Sequence, residues 1–334
     1  MSCTIKKIEY VFASTEVNND HFKNLFPEYD FERFEKKVGI KSRYRCNSDE
    51  NILTLAKQSC EKLFIQSNVK KENIQFLILC TQSPEFNIPT NSCVLQKELG
   101  LSNSIGTFDY NLGCSGYIYG LSIAKGLINS GQVENVLLVT SETYSKYIHQ
   151  EDLLNQLIFS DSSSATLIEK SDENGINEFI FGTDGSGYEK LIVRNNFFNK
   201  SINPKTSIYN GFNKYTDNNL YMDGPSIFNF TIQTIPRLLL DTLEKNNILD
   251  KEVDCFILHQ ANRFLLESIR KFANIGKDKF IIDMENYGNT VSSSIPIALK
   301  NTLLEHNNPR NIILCGFGVG LSWSSVLISL NNKL

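Results

Sequence analysis

Residues 71–78 read KENIQFLI and residues 251–258 read KEVDCFIL, so that in each stretch a polar turn leads into a short apolar run. A second pair behaves alike, with ENVLLV at residues 134–139 and RNIILC at residues 310–315. The members of the two pairs lie 180 and 176 residues apart. Because similar segments at a nearly constant separation indicate an internal repeat, the sequence predicts two copies of one α/β unit.

The rest of the chain alternates apolar runs of strand length with amphipathic runs of helix length, which is typical of an α/β fold with buried sheets. We expect strands at Phe76–Cys80, Val136–Thr140, Ala165–Ile168, Phe256–Leu258, Ile312–Leu314 and Ser325–Ile328. We expect helices at Ile52–Gln66, Ser92–Glu98, Gly116–Ile128, Pro225–Lys245, Arg263–Phe272 and Ile295–Leu304. Pro236 predicts a kink or a break in the longest helix. The asparagine-rich stretch Asn195–Asn219 predicts a long surface loop, either a functional lid or plain solvated chain.

The repeat divides the chain into two halves. The charged stretch Glu169–Asn177 predicts their boundary, with an N-terminal half at residues 1–172 and a C-terminal half at residues 173–334. The separation of 176 residues also places Cys114 opposite Thr290, so special residues of the two halves are expected at related positions.

Composition excludes several classes of protein. The 334 residues carry 33 Lys and Arg against 37 Asp and Glu, a formal charge of −4, which disfavours nucleic-acid binding through bulk charge. No apolar run approaches the roughly 18 to 20 residues of a membrane-spanning helix, and the N-terminus shows no secretory pattern. The eight cysteines form no CxxC pair, so we expect no zinc site, reduced thiols and a cytoplasmic location.

One cysteine has the surroundings of a nucleophile. Cys114 lies in NLGCSGYIYGL, residues 111–121, where a glycine-rich turn enters an apolar helix. Unpaired amides and the positive end of the helix dipole are expected to lower the pKa of this thiol, and the glycines let a substrate approach. A buried small residue at a crowded turn is the alternative interpretation. Cys315, which is followed by GFGVG, is the second candidate.

Three further segments could contribute to a site. His259 follows the apolar run FIL, at a strand end where α/β proteins gather functional groups, although a local backbone partner would also explain it. Asn289 lies in YGNTVSSSIP, residues 287–296, and could either cap a helix or donate into a cleft. The turn CGFGVGL, residues 315–321, could supply backbone amides to an oxyanion hole, and it is not a GxGxxG turn entering a helix.

These segments occur in a specific order. The chain carries, in sequence, GCSG (113–116), MDGPSIF (222–228), LHQAN (258–262), YGNTVSSSIP (287–296) and GFGVGLSW (316–323). With GIKSR at residues 39–43, TDGSGY at 183–188 and Asp161, it resembles the β-ketoacyl-acyl carrier protein synthase III family of condensing enzymes over nearly its whole length. The resemblance implies a thiolase-like, duplicated five-layered αβαβα fold.

The resemblance also implies a catalytic site of Cys114, His259 and Asn289. Cys114 would attack an acyl thioester, with the oxyanion held by the backbone amides of Cys114 and Val319. His259 and Asn289 would bind the carbonyl oxygen of a malonyl thioester and stabilise the enolate left by decarboxylation. Phe317 would line the place where carbon dioxide departs. No metal or redox cofactor is needed.

The partners implied are acyl carrier protein, an acyl thioester of coenzyme A or carrier protein, and a second copy of the chain in a homodimer. Ile88 matches a position that reaches the partner subunit's acyl pocket, and Arg33, Lys37, Asn262 and Arg263 match substrate-binding positions. Nothing in the resemblance implies contact with nucleic acid or a membrane.

The chain departs from the family at the surface that recognises the donor. Arg33 replaces a tryptophan, Leu153 or Leu154 replaces an arginine, and Phe264 replaces an arginine, with Arg263 one place early. The family serves fatty-acid biosynthesis, and these departures favour a relative with a specialised pathway. The primer and the identity of its carrier stay open.

Two other functions remain open. An acyltransferase of the same fold could pass the acyl group from Cys114 to an oxygen or nitrogen nucleophile, although Asn289 would then have no malonyl thioester to bind. A non-catalytic binding subunit would not need Cys114, His259 and Asn289 together. A thiolase proper would want a second cysteine, for which Cys315 is the candidate, but the HQAN motif points away from it.

Overall fold

The computed structural model describes residues 2–67, 69–173, 175–194, 207–209, 212–305 and 309–330. Their strands are β1 (Ser2–Phe12), β2 (Thr15–Asn18), β3 (Ser42–Arg45), β4 (Phe76–Cys80), β5 (Gly106–Tyr110), β6 (Asn135–Glu142), β7 (Ser162–Ser171), β8 (Ile176–Thr183), β9 (Leu191–Val193), β10 (Ser207–Tyr209), β11 (Asn213–Tyr215), β12 (Leu220–Met222), β13 (Cys255–Leu258), β14 (Phe280–Ile281), β15 (Asn311–Gly318) and β16 (Ser322–Ser329). The α-helices are α1 (Asn19–Leu25), α2 (Phe31–Val38), α3 (Ile52–Ser67), α4 (Asn91–Leu99), α5 (Gly116–Asn129), α6 (Leu153–Ile158), α7 (Gly224–Lys245), α8 (Arg263–Phe272) and α9 (Ser294–Glu305).

Two five-stranded sheets repeat one topology. The first has the order β1-β7-β6-β4-β5, and the second, read from its other edge, has the equivalent order β8-β16-β15-β13-β14. In each sheet the first two pairings are antiparallel and the last two are parallel. The repeated segments predicted from the sequence lead into the equivalent strands β4 and β13 and the equivalent strands β6 and β15, which confirms the duplicated fold.

Helices α5 and α9 lie between the two sheets and form the middle layer. Ile118, Leu121 and Ala124 of α5 are completely buried in one apolar cluster with residues from strands of both sheets. A helix with an apolar face must bury that face, and here strands of both sheets cover it. Cys114, which precedes α5, is therefore held at the junction of the two halves.

The outer layers explain the amphipathic runs. Helices α3 and α4 pack their apolar faces on the first sheet, and α7 and α8 pack on the second. The order of layers is thus helices, sheet, helices, sheet, helices, as the resemblance implied. The proposed boundary at residues 172 and 173 lies in the connection between β7 and β8. No described helix is long and apolar enough to cross a membrane.

Two expectations need correction. Helix α7 continues through Pro236, so of the predicted kink or break the break does not occur; Ile235, Leu238 and Leu239 are buried in the core around that position. The stretch Asn195–Asn219 is not entirely loop, since β10 and β11 within it pair antiparallel. Three-residue strands are too short to leave a period-two pattern. Residues 195–206 and 210–211 of that stretch lie outside the described residues.

Candidate active site

Cys114 lies in the turn between β5 and α5, and only 6% of its surface is exposed. The glycine-rich end of β15 packs directly against it. A Cβ atom added at Gly318 would lie 2.9 Å from Cys114 Cβ and 3.0 Å from Cys114 Sγ, while one at Gly316 would lie 2.8 Å from the Cys114 carbonyl oxygen. Only a strand without side chains at these two positions can approach the cysteine so closely.

The electrostatics of the thiol differ from the expectation. Burial and, to a smaller extent, the buried carboxyl of Glu142 raise the pKa of Cys114 to about 12, while the backbone amides of Cys114 and Val319 act in the opposite direction. The predicted lowering of the pKa was wrong because the sequence could not show how completely the sulfur is removed from water. The two amides are nevertheless the pair expected to form the oxyanion hole.

His259 follows β13 and extends its ladder, since the His259 N–H donates to the Cys315 carbonyl at 2.8 Å. Burial lowers the pKa of the imidazole to about 3, against a smaller opposing effect of the Val291 backbone, so the ring is neutral. Its Nδ1 lies 2.7 Å from the Ser294 Oγ, which accepts from the Gln260 N–H at 3.4 Å. Ser294 therefore holds the imidazole ring in place at the end of β13.

Asn289 is fixed by its own backbone and side chain. Its N–H donates to the Ile158 carbonyl, its carbonyl accepts from the Ser160 N–H, and its Oδ1 accepts from the Val291 N–H at 2.9 Å. Asn289 also lines the central cavity of the site. Val291 has φ of 53°, a left-handed conformation that a β-branched residue rarely adopts. Such strain persists only where the surroundings enforce it, and it is typical of functional sites.

One cavity of about 410 Å³ brings the three predicted catalytic side chains together. Cys114, His259 and Asn289 all line it, beside Phe317, whose ring meets the imidazole edge-on with 5.7 Å between centroids. Apolar side chains form most of the remaining wall: Tyr144, Ile158, Phe159, Leu191, Met222, Pro225, Ile227, Phe228, Ala261, Phe264 and Leu265. The cavity thus suits an acyl chain attached to a polar reacting group.

A second cavity of about 650 Å³ adjoins the first and shares Lys37, Asn262 and Phe264 with it. Arg33 lines this outer cavity, as does Leu154. The Lys37 Nζ lies 4.5 Å from the centre of the Phe264 ring, and Phe264 stacks on Phe228.

The structure does not bring every predicted binding residue to these cavities. Arg263 lines neither of them, and its guanidinium pairs with Glu285 at 3.0 Å because it lies on the side of α8 that faces Gly39. Ile88 is 89% exposed and also lines neither cavity. Asn262 has a binding position and a structural role. It lines both cavities, and its Oδ1 caps α8 by accepting the Leu265 N–H.

Three residues near the site were not predicted from the sequence. Ser294 holds the imidazole, Tyr144 lines the cavity beside Cys114, and Glu142 is a completely buried carboxyl behind it. The hydroxyl-rich string SSS at residues 292–294 was the available signal for Ser294. Glu142 ends the apolar run of β6 and gave no signal of its own. Among the described residues, no group of three or more His, Cys, Asp or Glu side chains could hold a metal ion.

The arrangement can carry out nucleophilic chemistry on a thioester. A buried thiol faces two backbone amides, and a neutral imidazole and a carboxamide face the same cavity. The first pair of donors suits the oxyanion formed during attack by sulfur, and the second pair suits an enolate oxygen.

Comparison with known proteins agrees with this geometry. Residues 108–185 match the family model of 3-oxoacyl-[acyl-carrier-protein (ACP)] synthase III, and residues 243–330 match the model of its C-terminal part. The beta-ketoacyl-[acyl-carrier-protein] synthase III of Clostridium perfringens is 34% identical over 317 residues, which cover 94% of this chain and 95% of that protein.

Solved structures agree as well. A 3-oxoacyl-(acyl-carrier-protein) synthase III superposes with a TM-score of 0.95 at 38% identity, covering 99% of this chain and 100% of the other. A 3-oxoacyl-(acyl-carrier protein) synthase from Burkholderia xenovorans gives a TM-score of 0.89 at 31% identity, covering 99% and 94%. From its fold, its site and these similarities, the chain belongs to the 3-oxoacyl-[acyl-carrier-protein] synthase III family.

Proposed function

We propose that the chain is a condensing enzyme, a transferase that loads an acyl group on Cys114 and joins it to a malonyl thioester with loss of carbon dioxide. The observation that carries the proposal is the convergence of Cys114, His259 and Asn289 on one largely apolar cavity. The names of the relatives support this reaction and give no support to acyl transfer to an oxygen or nitrogen nucleophile.

In the first half-reaction, Cys114 Sγ attacks the carbonyl carbon of the primer thioester. The tetrahedral oxyanion accepts hydrogen bonds from the amides of Cys114 and Val319, which lie close enough to lower the pKa of the thiol. The carbon–sulfur bond of the donor then breaks. The departing thiol of coenzyme A or carrier protein leaves with the proton given up by Cys114, so that charge and atoms balance.

In the second half-reaction, the malonyl carbonyl oxygen accepts from the Nε2–H of His259 and from the Nδ2 of Asn289. A neutral imidazole is needed for this role, and the lowered pKa of His259 keeps the ring neutral at physiological pH. Carbon dioxide leaves beside Phe317, the enolate carbon attacks the acyl-cysteine, and the Cys114 thiolate is released. The product is a β-ketoacyl thioester.

The outer cavity is the proposed path of the substrate arm, with Arg33 and Lys37 as the cations at its wall. Acyl carrier protein is the proposed partner, because the relatives are named for it. The replacement of arginines by Phe264 and by Leu153 or Leu154, of which Phe264 and Leu154 line this entrance, supports a specialised primer rather than a general one. The reaction needs no metal or redox cofactor. A cytoplasmic location suits eight cysteines that are all unpaired.

A homodimer is the proposed assembly. Strand β5 lies at the edge of the first sheet, and Ile88 projects from a loop near it with 89% of its surface exposed. An exposed edge strand beside an exposed isoleucine suits burial by a second copy. Light scattering should give twice the chain mass for the wild type, and Ile88→Asp should weaken the dimer or impair acylation; a monomeric wild type would contradict this assembly.

Intact-protein mass spectrometry with a panel of acyl thioesters tests the reaction. We expect the wild type and Cys93→Ala, which lacks an exposed thiol, to gain one acyl mass that Cys114→Ala does not gain. Malonyl-carrier protein should then remove that mass with release of carbon dioxide. An acyl-enzyme that malonyl thioesters leave untouched would favour the acyltransferase alternative, and no acylation at all would refute both functions.

A further inference from the structure

Glu142, at the end of β6, is a buried titratable group to which the proposed reaction gives no role. Its side chain has no exposed surface. The Gln82 N–H lies 3.1 Å from Oε2, the Ser83 Oγ lies 3.0 Å from the same oxygen, and the Ser292 Oγ lies 2.9 Å from Oε1. One carboxyl thus joins the loop after β4 to the turn that carries Asn289.

The link to Ser292 reaches the strained part of the site. Val291, with its left-handed backbone, lies between Asn289, whose Oδ1 accepts the Val291 N–H, and Ser292. Ser293, the next residue, is held by a 2.7 Å hydrogen bond between its Oγ and the Thr140 Oγ1. Because a strained turn relaxes unless both sides are fixed, the contact of Ser292 with Glu142 fixes the position of the Asn289 carboxamide.

The hydrogen bonds also indicate where the proton of this carboxyl lies. The Ser83 Oγ accepts the Thr143 N–H at 2.8 Å, so its own proton is donated to Glu142 Oε2. The Gln82 N–H is shared between the two oxygens, 3.1 Å from Oε2 and 3.2 Å from Oε1, so the Ser83 hydroxyl is the donor that belongs to Oε2 alone. Oε1 accepts the Ser292 hydroxyl when the carboxyl is ionised, and when the carboxyl is protonated Oε1 can carry the proton and donate it to the Ser292 Oγ.

The charges around Glu142 favour the protonated form. Burial raises its pKa to about 8, against hydrogen bonds from its neighbours. The titratable groups that face it are acids and carry no positive charge: Cys80, Cys114, Tyr144, Tyr147 and Asp161. Within the described part of the chain Glu142 forms no ion pair. A carboxylate here would oppose ionisation of Cys114, whereas a neutral acid would not.

We propose that Glu142 is a positioning residue for condensation, which as a neutral acid donates to Ser292 and so holds the turn that aims Asn289 at the malonyl carbonyl. This inference rests on the proposed function. Acyl transfer to Cys114 uses the amides of Cys114 and Val319 and does not need this turn. Glu142 should therefore matter for the second half-reaction much more than for the first.

The test measures both half-reactions separately, acylation by intact mass and then discharge of the acyl-enzyme by malonyl-carrier protein. We expect Ser292→Ala and Glu142→Ala to slow discharge by about 10²-fold, the typical effect of a displacement near 1 Å, while acylation changes by less than about fivefold. Ser141→Ala is the matched control, since that buried hydroxyl bonds the Ile52 carbonyl, away from the turn, and should leave both rates unchanged.

Glu142→Gln separates positioning by a neutral group from positioning by a charge. Its amide can donate to Ser292 as the protonated acid does, so it should restore most of the discharge rate lost in Glu142→Ala.

A folded Glu142→Gln as slow as Glu142→Ala would overturn the neutral role. Equal losses of acylation and discharge in Ser292→Ala would overturn the positioning role, even if Glu142→Ala fails to fold. If wild-type acyl-enzyme is not discharged at all, the proposed function itself fails, and that outcome is visible before any variant is made.

Discussion

Gly318 offers a direct test of how the nucleophile is held. In Gly318→Ala the new Cβ would lie 2.9 Å from Cys114 Cβ, whereas carbon atoms in contact prefer about 3.5 to 4.0 Å. Relief of this overlap requires a shift of about 0.6 to 1 Å in the thiol or in β15. Since β15 leads into Val319, whose amide belongs to the proposed oxyanion hole, either shift spoils the geometry of attack.

A displacement of about 1 Å at a reacting group costs on the order of 10²-fold in rate, which corresponds to about 2.7 kcal/mol in the barrier. We therefore expect Gly318→Ala to form the acyl-enzyme about 10²-fold more slowly than the wild type, with an unchanged circular dichroism spectrum. The rate is measured by quenching and intact-protein mass spectrometry with one good primer thioester.

Gly126→Ala is the matched control. Gly126 lies in α5, the helix that Cys114 precedes, and a Cβ added there meets nothing within 4 Å. This variant should acylate at the wild-type rate and gain about 0.5 to 1 kcal/mol in stability, because alanine is the better helix former. If a folded Gly318→Ala variant forms the acyl-enzyme at the wild-type rate, the argument that the glycines of β15 make room for the nucleophile is refuted.

Three further results are expected. Asn289→Ala should still acylate Cys114 but lose decarboxylation of malonyl-carrier protein by at least about 10²-fold, and retained decarboxylation would contradict the proposed enolate site. Since the pKa of His259 falls from its ordinary 6.5 to about 3, its neutral form is favoured in the folded state, and stability is lost as the pH drops from 6.5 towards 3. At pH 4.5 this loss is about 2.3 kcal/mol relative to pH 6.5, so urea unfolding of His259→Gln should show a shallower acid dependence, and an equal dependence would contradict the burial argument. Leu191 is buried against the cavity that holds Cys114, so Leu191→Ala should lengthen the preferred primer by about two carbons in the thioester panel. The variant should also lose about 3 kcal/mol in stability. An unchanged primer preference would place the acyl chain elsewhere.

Local pattern predicted much of the fold. The run Phe76–Cys80 is completely apolar because β4 lies inside the first sheet and is covered on both faces. The polar turn and apolar run at residues 71–78 recur at residues 251–258, and this similarity identified the second copy of the unit. Strand β5 was missed, since Gly106–Tyr110 is only half-buried along its length and lies at the sheet edge. Edge strands carry weaker patterns because only one side of the ladder is packed.

The side chains of the site were predicted through their motifs, but their physical state was not. For Cys114 the helix N-terminus predicted an acidic thiol, while the structure surrounds the sulfur with apolar groups and a carboxyl, and the pKa rises instead. Arg263 stands beside the binding motif in the sequence, yet the geometry of α8 turns it towards Glu285. Such outcomes depend on contacts between distant segments, which a single sequence does not contain.

The middle layer has a consequence for how the protein unfolds. Helix α5 belongs to the first half by sequence, but its buried face is completed by strands of the second sheet. Separation of the halves would expose that apolar surface to water, so neither half retains a closed interior alone. We expect one cooperative transition in which catalytic competence and tertiary structure vanish at the same denaturant concentration. An ancestral single copy with this layout would have needed a second chain to cover the same helix.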